Sequence, residues 1–152
     1  MATERLERPY SQFNFQVSWD GLDENSPQAG FQEASGLGME ITISEYRAGN
    51  ASTNEPIKIN GIVKTPDVTL KRGVLGELDT LYNWLNEVRN GSQTALRNVT
   101  IKLMSEDRET VAQTWRLKQA RPMKYTGPSL NGKGGDLAIE ELVLAAERIE
   151  VL

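Results

Sequence analysis

The sequence predicts a mostly β, α+β chain folded as one domain, and two observations carry that reading. Apolar residues recur at every second position in several short segments, the period of a half-buried strand. Only one segment, in the middle of the chain, repeats them at helical spacing. The 152 residues fit a single domain, with enough chain to bury about 68–70% of its unfolded surface without covalent staples.

Residues 1–10 read as a polar arm, with Pro9 stopping any helix begun there. Phe13, Phe15, Val17 and Trp19 then alternate with Asn14, Gln16 and Ser18, which predicts the first strand. Asp20-Gly21 signals a turn into a polar loop over residues 21–30. Phe31 to Ala34 form a short strand, broken at Gly36 and Gly38, where a bend or bulge is expected. Beyond it Met39, Ile41 and Ile43 face one way and Glu40, Thr42 and Ser44 the other, a strand with one wet or partner-facing side. AGNASTNEP, from Ala48 to Pro56, is small and polar, a mobile loop by composition.

Ile57 and Ile59 resume the strand pattern, Gly61 and Pro66 interrupt it, Val68 and Leu70 restore it, and Gly73 ends it. Leu75, Leu78, Leu81, Tyr82, Leu85 and Val88 then form one apolar helical stripe. Glu77 and Asp79 suit the positive end of that helix, and Asn90-Gly91 suits its stop. Val99, Ile101 and Leu103, followed across SEDRET by Val111, Gln113, Trp115 and Leu117, predict a hairpin with a long loop. Arg121 to Gly135 holds two prolines and four glycines and reads as loop. The closing LAIEELVLAAERIEVL is ambiguous: its composition leans to helix, while Ala138, Leu142, Leu144 and Ala146 fit an alternating strand.

Composition removes much chemistry. There is no cysteine, so disulfides, thiolate metal sites and cysteine nucleophiles are out. There is no histidine, the usual neutral-pH base and metal ligand. Lys plus Arg total 17 against 21 for Asp plus Glu, and the net charge of −4 is not that of a tight nucleic-acid binder. MATERLERPYSQ has no apolar run, so no secretory signal is read there, and no stretch approaches the ~20 apolar residues of a membrane span. Synthesis in the cytoplasm is the expectation.

The candidate motifs are weak. Gly36-Leu37-Gly38 lacks the further glycine and helix start of a phosphate loop, and Asn131 to Gly135 lacks the hydroxyl and spacing of one. Asn50-Ala51-Ser52 and Asn98-Val99-Thr100 fit a glycosylation pattern only by chance without a secretion signal. Glu140-Glu141, Glu106-Asp107 and Asp23-Glu24 are adjacent acids, and neighbours on a strand point to opposite faces. No catalytic, cofactor or metal site is read. Two other classes stay open: a monomeric β-sandwich ligand-binding module using Trp19 or Trp115 as a stacking platform, and a small enzyme using dispersed carboxylates such as Glu140 or Glu141.

Several segments together carry a resemblance: FNFQVSWDG, AGFQEASGLGMEITISEYRAGN, DVTLKRGV leading into LYNWLNEVRNG, RNVTIKLMSEDRETVAQTWRLKQARPMKYTGPSLN, and LAIEELVLAAERIEVL. In this order, from about Phe13 onward, the chain resembles the inner tail-tube protein of contractile phage tails and related contractile injection systems. The resemblance implies a compact β-sandwich or barrel-like domain over residues 1–152 with one packed helix. Its copies close into hexameric rings stacked as a hollow tube, with neighbouring sheets joined into a channel-lining barrel. The implied partners are a contractile sheath, baseplate and tube-terminating proteins, and transient cargo, either DNA or effector protein. No cofactor is implied, nor specific nucleic-acid binding, nor membrane insertion of the subunit. The family's terminal segment is a strand, which overrules the helix lean. Met39, Ile41 and Ile43 would then face the core, and Glu40, Thr42 and Ser44 the channel. The loop carrying Asn50, Ala51, Ser52, Thr53, Asn54 and Glu55 would reach an adjacent subunit or ring.

Overall fold

The computed structural model describes residues 8–19, 30–74, 80–93 and 95–152. The expected loop over residues 21–29, the acidic helix start at Glu77 and Asp79, and most of the N-terminal arm lie outside them. Among the described residues the order is β1 (Phe15–Trp19), β2 (Phe31–Ser35), β3 (Glu40–Tyr46), β4 (Ile57–Lys64), β5 (Val68–Gly73), α1 (Thr80–Arg89), β6 (Arg97–Met104), β7 (Val111–Thr126), β8 (Ile139–Ala145) and β9 (Arg148–Val151).

Seven strands run in the order β1-β6-β7-β8-β5-β2, with β9 also on β7, while β3 and β4 pair apart as a two-stranded ribbon. All the pairings are antiparallel. The 16-residue β7 joins two sheets: its first half pairs β6 and β9, its second half β8. The crossing is at Gln119, a non-glycine residue at φ 55°, where the register against β6 shifts between Arg97 and Val99. The Asn98 side-chain carbonyl accepts the Gln119 amide at 3.3 Å. A bulge adds one residue and bends the strand, which lets β7 leave one sheet and enter the other.

The predicted alternation builds the core. Val17, Trp19, Val99, Ile101, Leu117 and Ile149 bury from one sheet; Val68, Leu70, Leu142 and Leu144 bury from the other. Gln16, Ser18, Thr100, Lys102, Thr114 and Arg116 occupy the intervening positions of the first sheet's strands. Helix α1 adds Leu81 and Trp84 to the same core. The expected stripe included Tyr82, but Tyr82 is exposed and Trp84 is buried. Leu81, Trp84, Leu85 and Val88 fit the i, i+3, i+4, i+7 face better. The Trp84 indole N–H donates to the Ala95 carbonyl at 2.7 Å, and its ring lies 5.2 Å from that of Trp19. The helix stops at the expected place: Gly91 takes φ 86°, Gly91 N–H donates to Val88 O and Ser92 N–H to Glu87 O, a paired glycine cap.

Three expectations fail. Met39, Ile41 and Ile43 do not face the core: they are 57%, 44% and 45% exposed on the separate ribbon. Periodicity reports a two-sided strand without saying what covers its apolar side. Arg121 to Gly135 is not all loop, since β7 continues to Thr126. Pro122 is accommodated beside a register shift against β8, where a missing donor costs least. Gly61 does not interrupt the strand: β4 runs through it, and only the register against β3 shifts there. The C-terminal segment is strand, as the resemblance implied.

One ionic pair lies inside. Arg72 and Glu140 are register partners on β5 and β8, with Arg72 Nε 2.6 Å from Glu140 Oε1 and both side chains buried. The Tyr125 hydroxyl donates to Glu140 Oε2 at 2.7 Å. Removing one partner of a buried pair leaves an uncompensated charge, a cost of about 3–5 kcal/mol. We therefore predict that Glu140→Ala lowers unfolding free energy by about that amount; a urea midpoint equal to wild type would refute it.

Burial, then the Glu140 hydrogen bond and charge, push the Tyr125 phenol from 10.0 up to about 12. Folding thus favours the neutral phenol. Its contribution is complete below the unfolded value of 10.0 and drains away as pH climbs toward about 12. Tyr125→Phe should flatten the alkaline loss of stability, read as urea midpoints near pH 8 and pH 11; an unchanged slope would show that the phenol does not contribute.

Candidate assembly surface

The β3–β4 ribbon is the part of the described chain with the least internal cover. Every residue of both strands is exposed. Two tight spots tie its root to the body. Gly36, at φ 87°, precedes β3, and a Cβ there would lie 2.2 Å from the Asp67 carbonyl oxygen, so only glycine fits. Thr65 Oγ1 donates to the Glu147 carbonyl at 3.5 Å, at the turn between β8 and β9.

Glu40 pairs with Lys64 and Ile41 with Val63, but Ile43 pairs with Asn60, Ser44 with Ile59, Glu45 with Lys58 and Tyr46 with Ile57. The register slips by one residue opposite Thr42, and a Cβ on Gly61 would stand 2.9 Å from the Thr42 oxygen. Directly opposed residues share a face. One face therefore carries Glu40, Thr42, Lys64 and the 75% exposed Ile62 at the root, then Ser44, Ile59, Tyr46 and Ile57 toward the tip. The other carries Ile41, Val63 and Ile43 at the root, then Glu45 and Lys58. Ile57 and Ile59 are 65% and 54% exposed.

Of the sequence-read candidates, Glu40, Thr42 and Ser44 are exposed on β3, on alternate positions of one face. Residues 50–55 lie in the connection between β3 and β4. That connection is less loose than its composition suggests: Arg47 Nε donates to the Thr53 carbonyl at 2.9 Å, and Ala51 N–H to Ala48 O at 3.1 Å.

The acidic candidates are not brought together. Glu140 is committed to Arg72, whereas Glu141 stands opposite Lys71 and Thr126. Asp107 organises the β6–β7 turn, accepting from the Ser105 and Thr110 hydroxyls and from the amides of Glu109 and Thr110. Led by Ser105, these donors hold its carboxyl far below the usual range. Asp23-Glu24 lies outside the described residues. Trp19 is buried against Phe31 and Trp84, so it offers no platform.

Two grooves remain. One of about 570 Å³ opens between β1 and β2, its apolar wall including Phe15, Leu37, Ile101, Leu103 and Trp115. The other, about 400 Å³, lies at the ribbon root between Met39, Val63 and Thr65 and the Glu147–Ile149 corner. The alternation of these apolar residues was visible in the sequence; their exposure, and which side of the ribbon each occupies, was not.

The family model for T4-like virus tail tube protein gp19 matches residues 11–150. No curated protein matches the sequence. Among solved structures, one similar chain comes from an extracellular contractile injection system, a PVC sheath-tube complex in the extended state. It is 28% identical with a TM-score of 0.83, over 97% of this chain and 93% of that one. Another, from the PVC sheath/tube terminator in the extended state, is 30% identical with a TM-score of 0.82, over 97% and 99%. Hcp1 from Flavobacterium johnsoniae shares the fold, at 14% identity and a TM-score of 0.54, over 91% and 94%. A two-sheet body bearing an uncovered ribbon, matched over nearly its whole length, identifies the chain as a member of the T4-like tail tube protein family.

Proposed function

We infer that the chain is the inner-tube subunit of a contractile injection system or contractile phage tail. The observation that carries the inference is the family match over residues 11–150, on a chain whose ribbon leaves large apolar residues exposed on both faces. Copies close into hexameric rings, and the rings stack into a conduit that a contracting sheath drives through a target envelope. Ring closure is a head-to-tail contact that closes by rotation, and stacking is one that repeats without closing.

The role is mechanical, and no catalysis is assigned. One domain with a polar N-terminal arm suffices for it. The subunit is made in the cytoplasm and works inside the particle. Similar chains occur in structures described as a sheath-tube complex, a tube terminating cap and a baseplate, which supports sheath, cap and baseplate proteins as partners here. Glu40 and Thr42 face the channel beside Lys64 and Ile62 at the ribbon root, with Ser44 next to Ile59. Residues 50–55 contact another copy.

Electron microscopy of the purified chain, alone and coexpressed with its sheath protein, is expected to show rings with a central hole or stacked tubes. A strict monomer under both conditions would overturn the reading.

A further inference from the structure

We propose that Asn131 is a self-modification site built into the β7–β8 connection: the Gly132 backbone nitrogen attacks the Asn131 side-chain carbonyl carbon, and the turn holding the two residues selects this asparagine over the others that precede a glycine. The proposal does not depend on the tube reading, since every reacting atom belongs to one chain.

Three asparagines stand before glycine: Asn60, Asn90 and Asn131. A following residue without a Cβ leaves its nitrogen unhindered, so the sequence makes the three equal. The fold does not. Asn60 and Gly61 lie within β4, paired to β3, and a Cβ on Gly61 would stand 2.9 Å from the Thr42 oxygen. A backbone held extended in a ladder must open before a ring can close across it. Asn90 and Gly91 end α1: the Asn90 amide donates to Asn86 O and the Gly91 amide to Val88 O, both at 3.0 Å. The nitrogen that would attack is committed there to the helix cap.

Asn131 and Gly132 differ in each respect. Both are exposed, between β7 and β8. The Asn131 carbonyl accepts the Gly134 amide at 3.0 Å, and Asn131 Oδ1 accepts the Lys133 amide at 3.0 Å. The first bond closes a tight turn with Gly132 and Lys133 at its centre. The second folds the asparagine side chain back over that turn, which draws its carbonyl carbon toward the intervening Gly132 nitrogen. A Cβ on Gly132 would meet nothing within 4 Å, so solvent has room to take the proton from that nitrogen. Negative charge then builds on Oδ1, where the Lys133 amide is already in place as an oxyanion donor.

The chemistry needs only water. Gly132 N bonds to the side-chain carbon and closes a succinimide ring; the bond from that carbon to Nδ2 breaks, and Nδ2 leaves as ammonia with the proton given up by Gly132 N. Water opens the ring at either carbonyl, giving aspartate or isoaspartate at position 131. Aspartate keeps the Lys133 contact as a charge-assisted bond. Isoaspartate routes the main chain through the side-chain carbon and lengthens the turn, so the Gly134 bond is lost. Either product adds a negative charge beside Lys133 and leaves the core intact.

The full chain, kept in mildly alkaline buffer either folded or unfolded in urea, then cut into peptides and read by mass spectrometry, tests this. In the folded chain Asn131 should convert severalfold faster than Asn60 and Asn90. In urea the three rates should converge, with Asn131 slower than it is when folded. Equal rates for the three in the folded chain, or an Asn131 no faster folded than unfolded, overturns the proposal. Gly132→Ala, for which the fold leaves room, should slow conversion severalfold at an unchanged urea midpoint; conversion at the wild-type rate would show that this nitrogen is not the nucleophile.

Discussion

A two-stranded ribbon with isoleucines on both faces is not stable on its own in water. Isolated hairpins are marginal at best, and unpaired strand edges invite other strands. Burying apolar surface gains about 25 cal/mol per Å², so the side chains left exposed from Met39 to Val63 are a driving force that the subunit cannot use internally. It becomes available only when other copies arrive. The shape of the assembly then follows from where those side chains point, and assembly is written into the ribbon rather than into the core.

The body's contribution is rigidity. β7 threads both sheets as one strand, so the two halves of the sandwich cannot shift independently. The Arg72–Glu140 pair ties β5 to β8 from the inside. Such pairs add little net stability but are intolerant of losing one partner, and this one fixes the register between two strands. Gly36 presses against the Asp67 backbone and so holds the two strands leaving the body for the ribbon close together. Force applied along a stack of such subunits would pass through hydrogen-bonded ladders rather than through flexible links.

Much of this was legible in the sequence, and the failures share a cause. Alternation located β1 and β3 to β7, though not the short β2, because half-buried strands impose a period of two whatever covers the other side. The same period could not say that the cover for Ile41 and Ile43 is absent from the subunit. Trp84 was placed on a helix but left off its buried face, since Tyr82 competes for the stripe until the i, i+3, i+4, i+7 set from Leu81 is counted. Glu140 was read only as one of two adjacent acids; its partner Arg72 lies 68 residues away, a separation that local pattern does not bridge. The bulge at Gly61 was the least legible feature, because a lone glycine in a strand signals a bulge or a close approach without giving the direction of the slip.

The groove between β1 and β2 is the feature nearest to a ligand pocket, and its chemistry favours a different reading. Small-molecule sites place a few convergent polar groups at an apolar floor. Here Ile101 and Leu103 of β6 with Trp115 of β7 form the wall, and these belong to the inward-facing set of their own sheet. Ile101 is buried there, while Leu103 and Trp115 are left half-covered where β1 and β2, the end strands of the path, do not pair with each other. Glu33, the carboxylate on that rim, is already 3.2 Å from Lys71. A sandwich open at its margins is what a barrel built from several subunits requires, since each chain must leave strands unpaired for its neighbours to complete.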